Sequence, residues 1–270
     1  MNETQLLKKA ACMYLSRAQE ALGQASEKIK ESAESKDLDL SDIELFELPQ
    51  ELFELEHLEK LNLDDNRLAY IPDEIGKLKN LRQLSIRGNC IMNLPESIGL
   101  LENLEKLYLG YNTISELPDS VCSLQNLKML NMANNLLTNL PKNIGDLKSL
   151  TKLSLHDNLL ESLPNSIGNL KNLKKLFLDN NNLSTIPASL ANLSCLEELV
   201  LSGNELKNLP PEFSGFSKLK ELILDENQLE TLPASLIKCT SLRLIAINGN
   251  PIENIPQELL GCETLTIDGN

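Results

Sequence analysis

Leu58-Glu59-Lys60-Leu61-Asn62-Leu63-Asp64-Asp65-Asn66-Arg67-Leu68 is the stretch that decides the fold of this chain. Its pattern, Leu-x-x-Leu-x-Leu-x-x-Asn-x-Leu, returns every 23 residues, and its asparagines are Asn66, Asn89, Asn112, Asn135, Asn158, Asn181, Asn204, Asn227 and Asn250. From Asn66 to Asn250 is 184 residues, eight steps of 23 with no slippage. A fixed period of this length marks a solenoid, in which one small unit stacks on the next. Within the unit, Leu61 and Leu63 alternate with Asn62, the period of a strand with one buried face. A strand this short must pair with its neighbours, so the repeats are expected to build one parallel sheet. The asparagine follows where the chain turns inward. Its amide donates and accepts, so it satisfies backbone groups that the turn leaves free. Stacked copies predict a ladder, and each buried polar group left without a partner there would cost roughly 1–3 kcal/mol.

The second half of the unit is Ile71-Pro72-Asp73-Glu74-Ile75-Gly76-Lys77-Leu78-Lys79-Asn80. Proline suits a turn or a first helical position. Ile75 and Leu78, three apart, suit a 3₁₀ or single α turn facing the core. Gly76 recurs as Gly99, Gly145 and Gly168 but gives way to Cys122, Ala191, Ser214, Ile237 and Leu260, so the outer side is expected to be regular early and to drift later. Strands need less room than these turns, so the stack should curve with the strands inside.

These motifs resemble the leucine-rich repeat family over about residues 37–270. The segment Leu94-Pro95-Glu96-Ser97-Ile98-Gly99-Leu100-Leu101-Glu102-Asn103-Leu104 is similar to the 23-residue class found in plant intracellular Ras-group, animal Ras-pathway and bacterial proteins. The resemblance implies an α/β horseshoe. A parallel concave sheet, short 3₁₀ or α turns on the convex side and an N-terminal helical cap are expected.

Residues 1–36 break the repeat. Leu7, Ala11, Tyr14, Ala18, Leu22, Ala25 and Ile29 form one apolar helical stripe. The segment is expected to be an amphipathic helix, or a helical hairpin broken at Gly23, that caps the first repeat. Self-association through it and binding to a membrane surface are the alternatives. The first repeat places Ile43 where later ones have asparagine, as an end unit can. The final Leu265-Thr266-Ile267 segment has no polar cap after it, which predicts an exposed edge or one covered by a partner or a second copy.

The formal net charge of the chain is −14. Residues 1–36 hold six Lys/Arg and five Asp/Glu, about +1, so the repeats carry about −15. That balance disfavours nucleic acid and anionic lipid as partners. The six cysteines form no CxxC, and Cys239 and Cys262 stand where earlier repeats bury leucine. A reducing, cytoplasmic location is therefore expected, with delivery into a host cell as an effector the alternative.

The outward positions of the strands predict columns across the concave face. The central column reads Asn62, Ser85, Tyr108, Asn131, Ser154, Phe177, Val200, Ile223, Ala246. Its first half is mostly polar and its last four members are apolar. Met129 and Leu244 sit one column over, and Tyr111 adds aromatic area. Lys128, Lys152, Lys174 and Lys175 form a basic island, followed by Glu197, Glu198, Glu221, Asp225 and Glu226, so the sign is expected to change along the face. Candidate partner-binding residues are thus Tyr108, Tyr111, Met129, Lys152, His156, Lys175, Phe177, Val200, Ile223 and Leu244. The asparagines are structural.

Catalytic signals are weak. His156 lies beside Asp157, but no nucleophile motif accompanies it, and no P-loop, HExxH or zinc-spaced cluster occurs. Neither a cofactor nor a metal is expected. The sequence therefore points to a non-enzymatic module that binds a protein on its concave face. Alternatives are an effector or the recognition subunit of a larger signalling or ubiquitin-ligase assembly, and a self-associating scaffold. A monomer or a weak homodimer, through the helix or the C-terminal edge, is expected.

Overall fold

A computed structural model describes residues 3–261 and 264–269, without the side chains of residues 3–5 and 7–12. The repeats form one parallel sheet of eleven three-residue strands in chain order. They are β1 (Asp37–Asp39), β2 (Lys60–Asn62), β3 (Gln83–Ser85), β4 (Lys106–Tyr108), β5 (Met129–Asn131) and β6 (Lys152–Ser154). They continue as β7 (Lys175–Phe177), β8 (Glu198–Val200), β9 (Glu221–Ile223), β10 (Leu244–Ala246) and β11 (Thr266–Asp268). From β1 to β10 each strand residue pairs with the residue 23 later, as Leu61 does with Leu84. The middle leucines or isoleucines of these strands are buried, and so are the leucines that open and close each unit.

Among the described residues the convex side carries nine 3₁₀ turns, such as Asp73–Lys77 and Glu96–Leu100, then a short helix, α2 (Gln257–Leu260). Its regularity does not drift. Where Gly76, Gly99, Gly145 and Gly168 give way to other residues, 3₁₀ turns persist up to Ala234–Lys238. These glycines have a packing cause instead. Each lies against a serine of the next repeat, and a Cβ on Gly145 would stand 2.0 Å from the Ser166 carbonyl oxygen. Cys122 and Ala191 occur where the next repeat offers Asn143 and Glu212 in place of that serine.

The ladder is directional. Asn89 Nδ2 donates to the carbonyl of Leu63 at 2.9 Å, and its Oδ1 accepts from the Leu68 N–H at 3.0 Å. Both partners belong to the preceding repeat. The same contacts recur up to Asn250, which serves Leu224 and Leu229. Asn66 serves the first repeat through Leu40 and Leu45. Ile43 can therefore replace the first asparagine, because no earlier repeat needs one.

Helix α1 (Glu3–Glu31) is a single helix that runs straight through Gly23, so the hairpin is not formed. A Cβ at Gly23 would meet nothing within 4 Å. Ala21, Ala25 and Ile29 are buried against the repeats and Leu22 is partly so. Lys28 Nζ donates to the Asp39 carbonyl at 3.1 Å, which helps close the β1 edge. Only the second half of the helix caps the stack. Leu6, Met13 and Leu15 are exposed, and Tyr14 is about half exposed with its ring on Phe46. Leu7 and Ala11 of the expected stripe lie outside the described side chains. At the other end β11 is an edge strand, with no further strand beyond it among the described residues. Cys239 is buried, and burial pushes its thiol pKa up. Cys262 lies outside the described residues.

Asn158→Ala would strip the Leu137 N–H of its acceptor and the Met132 carbonyl of a donor. Urea denaturation should show a loss of about 2 kcal/mol or more. The two kinds of glycine should respond with opposite signs. Gly23→Ala should gain about 0.5–1 kcal/mol by helix propensity, and Gly145→Ala should lose about 1–3 kcal/mol by overpacking. Thermal melts of the two variants check both.

Candidate functional site

The sheet's outer face is built by the strand residues between the buried leucines. Phe177, Val200 and Ile223 pair directly across β7, β8 and β9, with Ala246 beyond them on β10. The three are half-buried, and their neighbours in the column are about 4.8 Å apart. Leu244 is half-buried one column over. Tyr108 lies three strands away from Phe177, with Asn131 and a buried Ser154 between. Its hydroxyl contacts Met129 Sδ at 3.8 Å. The face thus has two apolar patches, a smaller one at Tyr108 and Met129 and a larger one from Phe177 onward.

Tyr111 is not in these columns. It sits in the turn after β4, immediately before the ladder asparagine, with φ 57°. That position is left-handed in ten successive repeats, from Asp42 to Gly249. Eight of the ten residues there are Asp, Asn or Gly, the types that tolerate this conformation. Tyr111 and Glu226 are the departures. Their spacing was readable in the sequence, and the Asp/Asn/Gly preference was the signal. Tyr111 is 55% exposed, and the Arg87 guanidinium stands 5.7 Å from its ring centre. Along the same rim, Leu136 and Leu159 are exposed apolar side chains of the next two repeats.

Ion pairs between repeats blunt the expected sign change along the face. Where the strands begin, opposite charges pair from repeat to repeat. Lys36 meets Glu59 at 2.6 Å, Arg82 meets Glu105 at 2.8 Å, and Lys128 meets Glu105 at 2.7 Å. Further on, Lys175 meets Glu198 and Lys220 meets Glu197, both at 2.6 Å. Lys152 Nζ lies 5.1 Å from the centre of the Phe177 ring. Of the expected basic island and the acids that follow it, Lys175 and Glu198 pair with one another, Lys128 pairs with Glu105 and Glu197 with Lys220. The ion pair raises the Lys175 pKa, and the Glu197 carboxyl is held low by its hydrogen bond to Lys220.

Where the strands end, the balance differs. Asp157, Asp179, Asp225 and Glu226 line this margin, and among the described residues no Lys or Arg forms an ion pair with any of them. His156 Nδ1 lies 2.7 Å from Asp157 Oδ2, and Asn180 donates to Asp157 Oδ1 at 2.9 Å. The His156 contact holds the Asp157 pKa below its usual 3.8, assisted by Asn180. Asp225 accepts from the Asn248 N–H at 2.7 Å. The Asp179 carboxylate accepts its own backbone N–H, and burial pushes its pKa up against that bond and the nearby His156. The charge balance thus differs across the face, ion-paired at the start of the strands and acidic at their end.

No group of three or more metal-ligating side chains occurs among the described residues, and none of their helices is long and apolar enough to cross a membrane. Models of leucine-rich repeats match residues 36–91, 73–176, 120–202 and 196–252. A leucine-rich repeat protein of Leptospira interrogans is similar over 88% of this chain and 68% of its own, at 33% identity and a TM-score of 0.81. The chain belongs to the leucine-rich repeat family.

This leucine-rich repeat chain is also similar to the leucine-rich repeat domain of the type III effector XopL. That match has 28% identity and a TM-score of 0.75, and covers 92% of this chain and 81% of the other. The plant peptide hormone receptor RGFR1, solved in complex with RGF2, matches at 33% identity and a TM-score of 0.64. There the match covers 83% of this chain but only 42% of the receptor chain. No curated protein gives a match. Family and fold are those of protein-binding modules.

Asp179 gives a pH test. Its folded pKa is raised above 3.8, so ionisation penalises the fold fully above the raised value and not at all below 3.8. Asp179→Asn should therefore be more stable than the parent at pH 7, by less than about 1 kcal/mol because solvent screens a half-exposed carboxylate. The advantage should shrink as pH falls through the raised value. Denaturation midpoints across this pH range check the sign.

Proposed function

We propose that this protein is a non-enzymatic module that holds a protein partner on the concave face between β4 and β10. The observation that carries this reading is the contiguous apolar run Phe177, Val200 and Ile223 on a face that no other element among the described residues covers. Contiguous exposed apolar surface marks interaction sites. The alternation of the strands adds to it, because a side chain on the outer face contributes little to the buried core. Tyr108, Met129 and Leu244 extend the apolar area, and Lys152, His156 and Lys175 supply polar contacts near it. A cytoplasmic location fits the unpaired cysteines Cys90, Cys122, Cys195 and Cys239.

Delivery into a host cell, as the recognition part of a larger assembly, is a second reading, favoured by the likeness to XopL. Self-association is a third. It is favoured by the exposed Leu6, Met13 and Leu15 on the free half of α1, and light scattering over a wide concentration range tests it.

Two changes separate binding from folding. Phe177→Asp with Ile223→Asp should abolish capture of the partner in affinity purification while circular dichroism stays unchanged. Retained capture would overturn the concave-face reading. Tyr111→Asn should raise stability by up to about 1 kcal/mol, because asparagine accepts the left-handed turn more readily. The same variant should weaken capture, so a gain in melting temperature with a loss in binding is expected.

A further inference from the structure

We propose that the partner segment on the concave face is cationic on one side. It lays apolar side chains on Phe177, Val200 and Ile223 and presents lysine or arginine to the margin formed by Asp157, Asp179, Asp225 and Glu226. This inference rests on the concave-face reading above and adds the partner's chemistry and its orientation across the groove.

The two margins of the face differ. Along the start of the strands, acids on either side of the run are answered by ion pairs, Glu221 excepted. Glu198 is bound by Lys175 and Glu197 by Lys220, each one repeat away. Along the end of the strands none of the four acids forms an ion pair with a lysine or arginine among the described residues, and His156 contacts Asp157 and also acts on Asp179. Their contacts are amides, a backbone N–H or, for Asp179, its own backbone. A solenoid that neutralises one margin repeat by repeat leaves the other uncompensated over the same repeats.

Position makes this margin part of the apolar run's surroundings. Asp179 and Asp225 follow Phe177 and Ile223 by two residues, so they stand on the same face of the chain. A segment seated on the apolar column brings its flanking residues beside these carboxylates. Seating an apolar partner there also removes water from Asp179, already half-buried, so a carboxylate left without a cation would oppose binding. A lysine or arginine from the partner answers that charge, and Arg does so with a bidentate fork. On the opposite flank the basic residues Lys152 and Lys174 repel a second cationic side. The groove therefore selects a segment with its positive charge on one flank only.

The test is selection from a displayed library of random peptides on the full chain. Binders are then measured on three variants, by fluorescence anisotropy of the synthetic peptides. The first is Asp179→Asn/Asp225→Asn/Glu226→Gln. The second removes an equal number of charges from the convex turns, Glu96→Gln/Asp119→Asn/Glu212→Gln. The third is Phe177→Asp.

Selected peptides are expected to carry Lys or Arg beside apolar residues. They should lose about tenfold in affinity on the first variant, little on the second, and nearly all on the third. Equal losses on the first two variants would show attraction by net charge alone and would overturn the proposal. Binding abolished by Phe177→Asp but unchanged by the first variant would also overturn it and leave the concave-face reading standing. Binding unaffected by Phe177→Asp, or a selection without binders, would overturn both.

Discussion

Everything in this solenoid depends on one side-chain amide that reaches backwards. Each ladder asparagine accepts from an N–H 21 residues earlier and donates to a carbonyl 26 residues earlier. The buried strands are only three residues long, so their own hydrogen bonds fix little backbone on their own. The asparagine completes the turn of the repeat behind it, and it can do so only if the two repeats stand in register. Stability is thus shared between neighbours rather than held in a central core, as nearest-neighbour models of repeat proteins require. Direction follows from the same contact. The first repeat needs no asparagine and carries Ile43 there, and its exposed side is closed by helix α1 instead.

Most of the architecture was legible because a period of 23 forces residue n to face residue n + 23. That rule alone places Phe177 beside Val200 and Val200 beside Ile223, and the paired strands agree. It fails where contacts cross the period. The spacing of 21 from Gly145 to Ser166 carries a steric meaning that only the convex backbone reveals. Helix α1 obeys no repeat, so its stripe did not tell which half would find a surface. The charges misled for a related reason. Read in chain order, Lys174 and Lys175 precede Glu197 and Glu198 and suggest a change along the face. In space, Lys175 and Glu198 neutralise each other across one repeat.

The turn before each asparagine separates what stacking requires from what it leaves free. A left-handed residue is needed there, and eight of ten repeats meet the need with Asp, Asn or Gly. Tyr111 meets it at a cost of roughly 1–2 kcal/mol, by the ordinary penalty for an L-residue in this region. The Arg87 guanidinium over the ring offsets part of that cost, and the ring is 55% exposed.

The same reasoning bears on the acidic margin. Aspartate is favoured in left-handed turns, so acids such as Asp65 and Asp157 arise there from turn chemistry alone. Asp225 also has a local role, because its carboxylate binds the Asn248 backbone. Those explanations do not extend to the rest. Asp179 does not occupy the left-handed position, its carboxylate forms no ion pair with a lysine or arginine among the described residues, and it is desolvated enough to raise its pKa. Glu226 occupies the left-handed position without the short side chain that suits it. Both stand beside the apolar run and away from the polar first half of the face. The local demands of the fold account for the ladder, the glycines and most of the aspartates, and what they leave over falls on one margin of one patch.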